Sequence, residues 1–482
     1  MLFGSLSFLL FFSIFFVLYW LAFQRNLKLR NGLILLASFV FYACWDWRFL
    51  LLLIANTSLA YLVGLRLAAH DEKKRKYWLT FGVIVEVALL FYFKYTNFFI
   101  TSLIDCFHSF GLHTGLHTLK IILPLGISFY VFRTLSYLID VYYERIEPET
   151  DGLIFFAYIT FFPSMVCGPI DRAKLLIPQL QTIRKFDYCQ VADGLKQVLW
   201  GLFKKVVVAD NAALFVNRIF EDYHQMPSSV LLLGAFLFTI QMYADFSGYS
   251  DMAIGLANMM GIRITRNFRF PFFAQNIADF WKRWHISLTN WLTDFIFTPL
   301  SIRFRDWGKT GLILSILITF LVSGLWHGAN WTFVLWGLLH GCCYIPLIIK
   351  GSMNKNKKLS AGLIPTFKEF RLMTGMFILI MFSLVLFRSD SIADAYHYFC
   401  SIFTFSGSEI PYFLLEKRND LCAVLTFTLF FVVMEWIHRE KEHALQLAFK
   451  VPFWVRWIFY YFLILMVYVY QVGQQAFIYL QF

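Results

Sequence analysis

Charge is scarce in this chain: charged residues make up 15% of its 482 positions, against 59% hydrophobic and 20% aromatic. A water-soluble protein of this length needs far more polar surface, so a soluble globular fold is excluded. Nucleic-acid readers go with it, because no soluble domain is left to carry a basic face. Acidic residues are the rarer sign, 30 against 42 basic, for a net charge of +12. The basic residues sit in short loops between apolar runs, as membrane insertion arranges them, so the surplus does not by itself call for an acidic partner. Cysteine is sparse too. Cys44, Cys106, Cys167, Cys189, Cys342, Cys343, Cys400 and Cys422 form no C-x-x-C pair and mostly interrupt apolar runs. They read as small buried hydrophobes, and neither a zinc site nor a disulfide framework is expected. No basic segment precedes the first apolar run, so Met1–Phe23 reads as a retained helix and not a signal peptide. Neither a G-x-S-x-G elbow nor a D-H-H-C motif occurs, which leaves serine-hydrolase and palmitoyl-cysteine mechanisms without support.

What remains is a series of apolar runs. The pattern predicts an all-α polytopic membrane protein, a single domain over 1–482. Spans are expected near 1–23, 32–44, 48–67, 77–95, 123–143, 202–220, 230–262, 312–327, 331–349, 372–388, 420–437 and 458–480. Leu153–Cys167 is apolar but ends in Pro and Gly with basic loops on both flanks, so it reads as re-entrant. Residues 96–120 read as an outer or interfacial loop whose His108, His113 and His117 lack the neighbours of a metal site. Arg25, Lys28 and Arg30, and then Asp71–Lys76, place those loops in the cytoplasm and both termini outside.

One histidine stands out. Leu312–Leu321 is wholly apolar but for Ser315 and Thr319, and the sixteen residues from Leu312 to His327 span about 24 Å as a helix, against roughly 30 Å of hydrocarbon. His327, between Gly324 and Gly328, is therefore expected several ångströms inside the membrane. There an imidazole is either a polar lock between helices or a proton acceptor facing a watery cavity. Gln241, Asp245 and Tyr249 form a second polar set, spaced i, i+4, i+8 on one helix face; they either line an aqueous passage or lock helices together. Residues 263–310 carry eight basic and three acidic side chains. Between Pro271 and Pro299 their periodicity predicts an interfacial amphipathic helix, with Lys282, Arg283 and His285 on its polar face. His340 lies about 20 Å beyond His327 along any continuous helix and reads as structural.

The motifs, in order, are Pro124–Tyr130, Phe162-Pro163 with Gly168-Pro169, Asp245–Gly255, Phe280–Leu288, Gly324–Trp331 and Phe477–Phe482. Together they closely resemble the membrane-bound O-acyltransferase family, in its bacterial alginate O-acetyltransferase-like branch. The resemblance implies a ring of about 11–12 tilted spans, with re-entrant and interfacial helices, around a central tunnel. It implies His327 as the catalytic histidine of a hairpin over about 312–349, with His285 lining the cytoplasmic side. Trp326 or Asn330 would position a thioester carbonyl, Lys282 and Arg283 would hold donor phosphates, and Tyr479 would either relay the acyl group or anchor the tail. No bound cofactor or metal is implied; acetyl-coenzyme A or another acyl thioester would be the donor. Implied partners are membrane lipid, an extracytoplasmic polysaccharide acceptor and an SGNH-type acetyltransferase or esterase, in a bacterial cytoplasmic (inner) membrane. Two other readings stay open: a D-alanyl transferase fed by an acyl carrier protein, and a transporter or scaffold with a polar core. No internal repeat favours transport.

Overall fold

The computed structural model describes all residues except 2, 23–24, 69–70, 354–361, 405–410, 447–450, 474–476 and 478–482. All regular structure among the described residues is helical. Two compact units are formed, one from residues 1–194 with 256–265, the other from 195–255 with 266–482.

The first unit holds α1 (Leu6–Val17), α2 (Leu27–Ala43), α3 (Trp47–Arg66), α4 (Glu72–Leu90), α5 (Thr96–Ser109), α6 (Ile127–Tyr142), α7 (Gly152–Ile159), α8 (Phe162–Met165) and α9 (Ala173–Leu180). Asn26, Asp46 and Asp71 cap α2, α3 and α4, each accepting from a backbone N–H of the first turn. A π-helical turn joins α4 to α5, giving 38 continuous helical residues from Glu72 to Ser109. The loop expected over 96–120 is therefore helix for its first half: Thr96–Ser109 has no Gly or Pro, and the chain breaks only near Gly111 in the left-handed region (φ 72°). At eight and four residues, α7 and α8 are too short to cross a membrane, as a re-entrant segment requires. Arg133 of α6, fully buried, fixes this segment by donating to the carbonyls of Ile159, Ser164 and Pro169 at 2.9–3.2 Å.

The second unit holds α10 (Tyr188–Leu202, from Leu195), α11 (Asp210–Glu221), α12 (Ser228–Met259, to Gly255), α13 (Ile277–Trp281), α14 (Ile286–Leu292), α15 (Thr298–Arg303), α16 (Gly308–His327), α17 (Trp331–Ile349), α18 (Phe367–Arg388), α19 (Ile392–Phe403), α20 (Tyr412–Glu416), α21 (Arg418–Ile437) and α22 (Phe453–Val469). Its core is the helical hairpin α16–α17. The backbones touch there because Gly324 and Gly337 face each other: a Cβ at Gly324 would overlap the Phe333 carbonyl oxygen, and one at Gly337 the Phe320 carbonyl oxygen. Asn330 starts the return helix by accepting from Thr332 N at 3.0 Å. Gly324→Val or Gly337→Val is expected to cost about 1–3 kcal/mol by overpacking, read as a lowered thermal midpoint in detergent. Gly375→Val, with open space around its Cβ, is the control that should change little.

Seven helices among the described residues are long and apolar enough to cross a membrane, and Leu6–Ala22 and Phe453–Val469 are shorter apolar stretches. The chain is a multi-pass α-helical membrane protein. Other expected crossings are shorter pieces: α6 has 16 residues, and a π-helix over Phe203–Ala209 interrupts the helix from α10 to α11. The cysteines depart from expectation. Only Cys167 is buried and Cys343 is half-buried, while the other six are exposed; apolar runs in a membrane protein have lipid-facing sides where a small thiol sits without a core around it.

Candidate functional site

His327 is the last residue of α16, where the helix stops because Gly328 adopts extended backbone. Its ring is 3% exposed and packs among Trp326, Trp336 and Phe387, with centroids at 4.9, 5.1 and 5.4 Å. It borders a cavity, shared with Met242, Trp284, Trp336, Ile380 and Phe387, in which a water centre finds about 10 Å³. That is room for about one water molecule. On the same measure, a second cavity of about 190 Å³ lies between α13–α14 and the hairpin. Ile316, Thr319, Phe320 and Ser323 line it, the face of α16 that ends one turn later at His327, together with Lys282, Thr289 and Thr293.

His340 borders the small cavity with His327. The separation of about 20 Å along a helix does not apply, because the chain folds back at Gly328–Asn330 and returns antiparallel. Both ring nitrogens of His340 are committed. Trp281 Nε1 donates to Nδ1 at 3.3 Å, so the proton is on Nε2, which faces Ser383 Oγ at 3.0 Å. Those two bonds fit a structural lock; the expected remoteness from His327 is wrong.

The continuous interfacial helix expected between Pro271 and Pro299 is broken. A short 3-10 turn, α13, α14, a π-turn and α15 replace it, and His285 sits at the break in the left-handed region (φ 44°, ψ 53°). The cause lies upstream. The extended segment 267–269 pairs with the break, Ile286 N donating to Asn267 O and Arg269 N to none other than Arg283 O, at 2.8 and 2.9 Å. Few non-glycine residues adopt that conformation, and histidine is among those that do so more often. His285 is wholly buried and not on a solvated face; burial pulls its imidazole down to about 3. Its ring lies 5.6 Å from Trp326, so Trp326 stands between the two histidines.

The other expected residues are dispersed. Gln241, Asp245 and Tyr249 are buried but do not border the His327 cavity. Asp245 meets Lys205, whose Nζ lies 2.7 Å from Asp245 Oδ1 and 2.8 Å from Asp210 Oδ1. Tyr249 packs against Phe477 at 4.6 Å. Lys282 lines the larger cavity, Arg283 pairs with Asp279 at 2.8 Å, and Asn330 is committed to its cap and to the Asp390 carbonyl. Tyr479 lies outside the described residues. Sequence reasoning passed over Lys204 and Lys205, although two lysines beside Val206–Val208 are a signal for buried charge. It also passed over Asn267, whose importance is visible only in three dimensions. No group of three or more metal-ligating side chains is found among the described residues.

The chain matches the family model for membrane-bound O-acyltransferases over residues 39–385. It is 39% identical to the probable alginate O-acetylase AlgI of Pseudomonas aeruginosa over 460 residues, covering 94% of this chain and 84% of that one. It is 36% identical over 354 residues to the peptidoglycan O-acetyltransferase of Helicobacter pylori, 66% of this chain and 64% of that one. Similarity to the teichoic acid D-alanyltransferase of Bacillus subtilis is more distant, 28% over 232 residues, 46% of this chain and 58% of that one. An ionisable ring buried at the end of an apolar helix, in a multi-pass chain matched over most of its length, leads to one conclusion: the protein belongs to the membrane-bound O-acyltransferase family and is an O-acyltransferase.

Proposed function

We propose that the protein moves an acetyl group from cytosolic acetyl-coenzyme A across the bacterial cytoplasmic membrane for O-acetylation of an extracytoplasmic polysaccharide. The observation that carries this reading is the 39% identity to an alginate O-acetylase over 94% of the chain, combined with a buried His327 that borders an internal cavity. In the proposed reaction His327 takes the proton of the attacking hydroxyl. The oxygen bonds to the thioester carbonyl carbon, the carbon–sulfur bond breaks, and the thiolate gains a proton as the ester is released. Lys282 lines the larger cavity and Arg283 pairs with Asp279; both would meet the donor phosphates. The small cavity admits about one water, so substrates enter only if aromatic side chains such as Trp336 or Phe387 move. Both termini are assigned to the outer side, where an SGNH-type enzyme would pass the acetyl group to the final glycan.

Purified protein incubated with radiolabelled acetyl-coenzyme A, the SGNH-type enzyme and a soluble polysaccharide tests the reading. Label should appear in the polysaccharide as an alkali-labile ester. Ester formed only from a D-alanyl carrier protein would favour the rival donor, for which the more distant D-alanyltransferase similarity is the support. Solute flux with no acyl turnover would place the protein among transporters.

A further inference from the structure

The amide of Asn267, fully buried, faces His285 at the break and Ser287 in the first turn of α14. Its Oδ1 lies 3.3 Å from Ser287 N, 2.9 Å from Ser287 Oγ and 3.0 Å from His285 Nδ1, while its Nδ2 donates to Ser250 Oγ at 3.2 Å. A backbone N–H can only donate, so the amide atom facing Ser287 N is the oxygen, and the amide cannot be turned the other way. An amide oxygen can only accept. The nitrogen of His285 that meets it therefore carries the ring proton, and the lone pair resides on Nε2.

We propose that Asn267 is a positioning residue that fixes His285 as the Nδ1–H tautomer and so makes Nε2 the basic nitrogen of the ring. The main chain reinforces the arrangement, since Ile286 N donates to Asn267 O and holds His285 in its left-handed conformation. Burial keeps the ring neutral at physiological pH, so His285 serves as an acceptor for an N–H or S–H group and not as a cationic anchor for phosphate. The logic is that of an orienting partner behind a catalytic imidazole, where the wrong tautomer disables an otherwise intact site. The assignment of Asn267 rests on the reading of His285 as a site residue.

The test is nitrogen NMR of the full-length protein, labelled with 15N-histidine, in detergent. Spectra of His285→Gln identify the His285 signals by their disappearance, and two-bond couplings to the ring protons tell Nδ1 from Nε2. The expected result is a protonated Nδ1 and an unprotonated Nε2. A proton on Nε2 in the parent protein overturns the proposal without need of any Asn267 variant. Asn267→Asp keeps the acceptor and should keep the tautomer. Asn267→Leu should release it and lower kcat by about 10–100-fold, with the KM for acetyl-coenzyme A changed less than about twofold. A tautomer unchanged in Asn267→Leu would also overturn the proposal. Parental activity in His285→Gln, by contrast, would remove His285 from the site while leaving the tautomer result intact.

Discussion

His327→Ala is expected to lower the rate of acetyl transfer by about 10²–10⁴-fold, the usual contribution of a positioned general base. The variant removes a ring wedged between Trp336 and Phe387 and enlarges a cavity of about 10 Å³, so some loss of stability accompanies it. His327→Gln separates the effects. It keeps most of the volume and a polar end, and should keep the parental thermal midpoint while remaining as inactive as His327→Ala. Initial rates with radiolabelled acetyl-coenzyme A and melting curves in detergent give both quantities. Activity within threefold of the parent in either variant would mean that His327 is a packing residue.

The second large effect concerns stability. Lys205 is the cation between Asp210 and Asp245, all three less than a tenth exposed. Lys205→Met leaves two buried carboxylates facing each other without their shared partner, and breaking such a group by removing one member costs about 3–5 kcal/mol. The expected outcome is poor recovery and a sharply lowered thermal midpoint. Adding Asp210→Asn and Asp245→Asn to Lys205→Met removes the stranded charge and should restore most of the loss. A Lys205→Met protein as stable as the parent would show that the cluster already lies open to water. Neighbouring Lys204, at 2.6 Å from Asp251 and 2.9 Å from Ser247, and Tyr243, donating to Glu435 at 2.7 Å, extend the same polar seam along α12 and into α21.

Much of this was legible in the sequence. Long apolar runs became helices long enough to span, and the run from Leu312 with its return at Trp331 forms the hairpin α16–α17, with His327 at the end of α16. Around the site, the readings departed where a long-range contact intervened. The Pro271–Pro299 periodicity is helical, but Asn267 and Arg269 pair with the main chain at 283–286, and those hydrogen bonds outweigh the local pattern. His340 looked remote because distance along a helix ignores a hairpin. The polar stripe on α12 was read as one group, yet Asp245 answers to Lys205 and Asp210 on another helix, while Tyr249 answers to Phe477 near the C-terminus. Single-chain periodicity shows which face a residue occupies and is silent on what comes to meet it.

The central proposal is acyl transfer between compartments through the site at His327. Vesicles carrying the purified protein in one orientation, loaded with radiolabelled acetyl-coenzyme A and given the SGNH-type enzyme and polysaccharide only on the other side, measure it directly. The expected result is labelled ester on the outside, dependent on His327, with no leakage of acetyl-coenzyme A. Ester formed only when donor and acceptor share one compartment would contradict it.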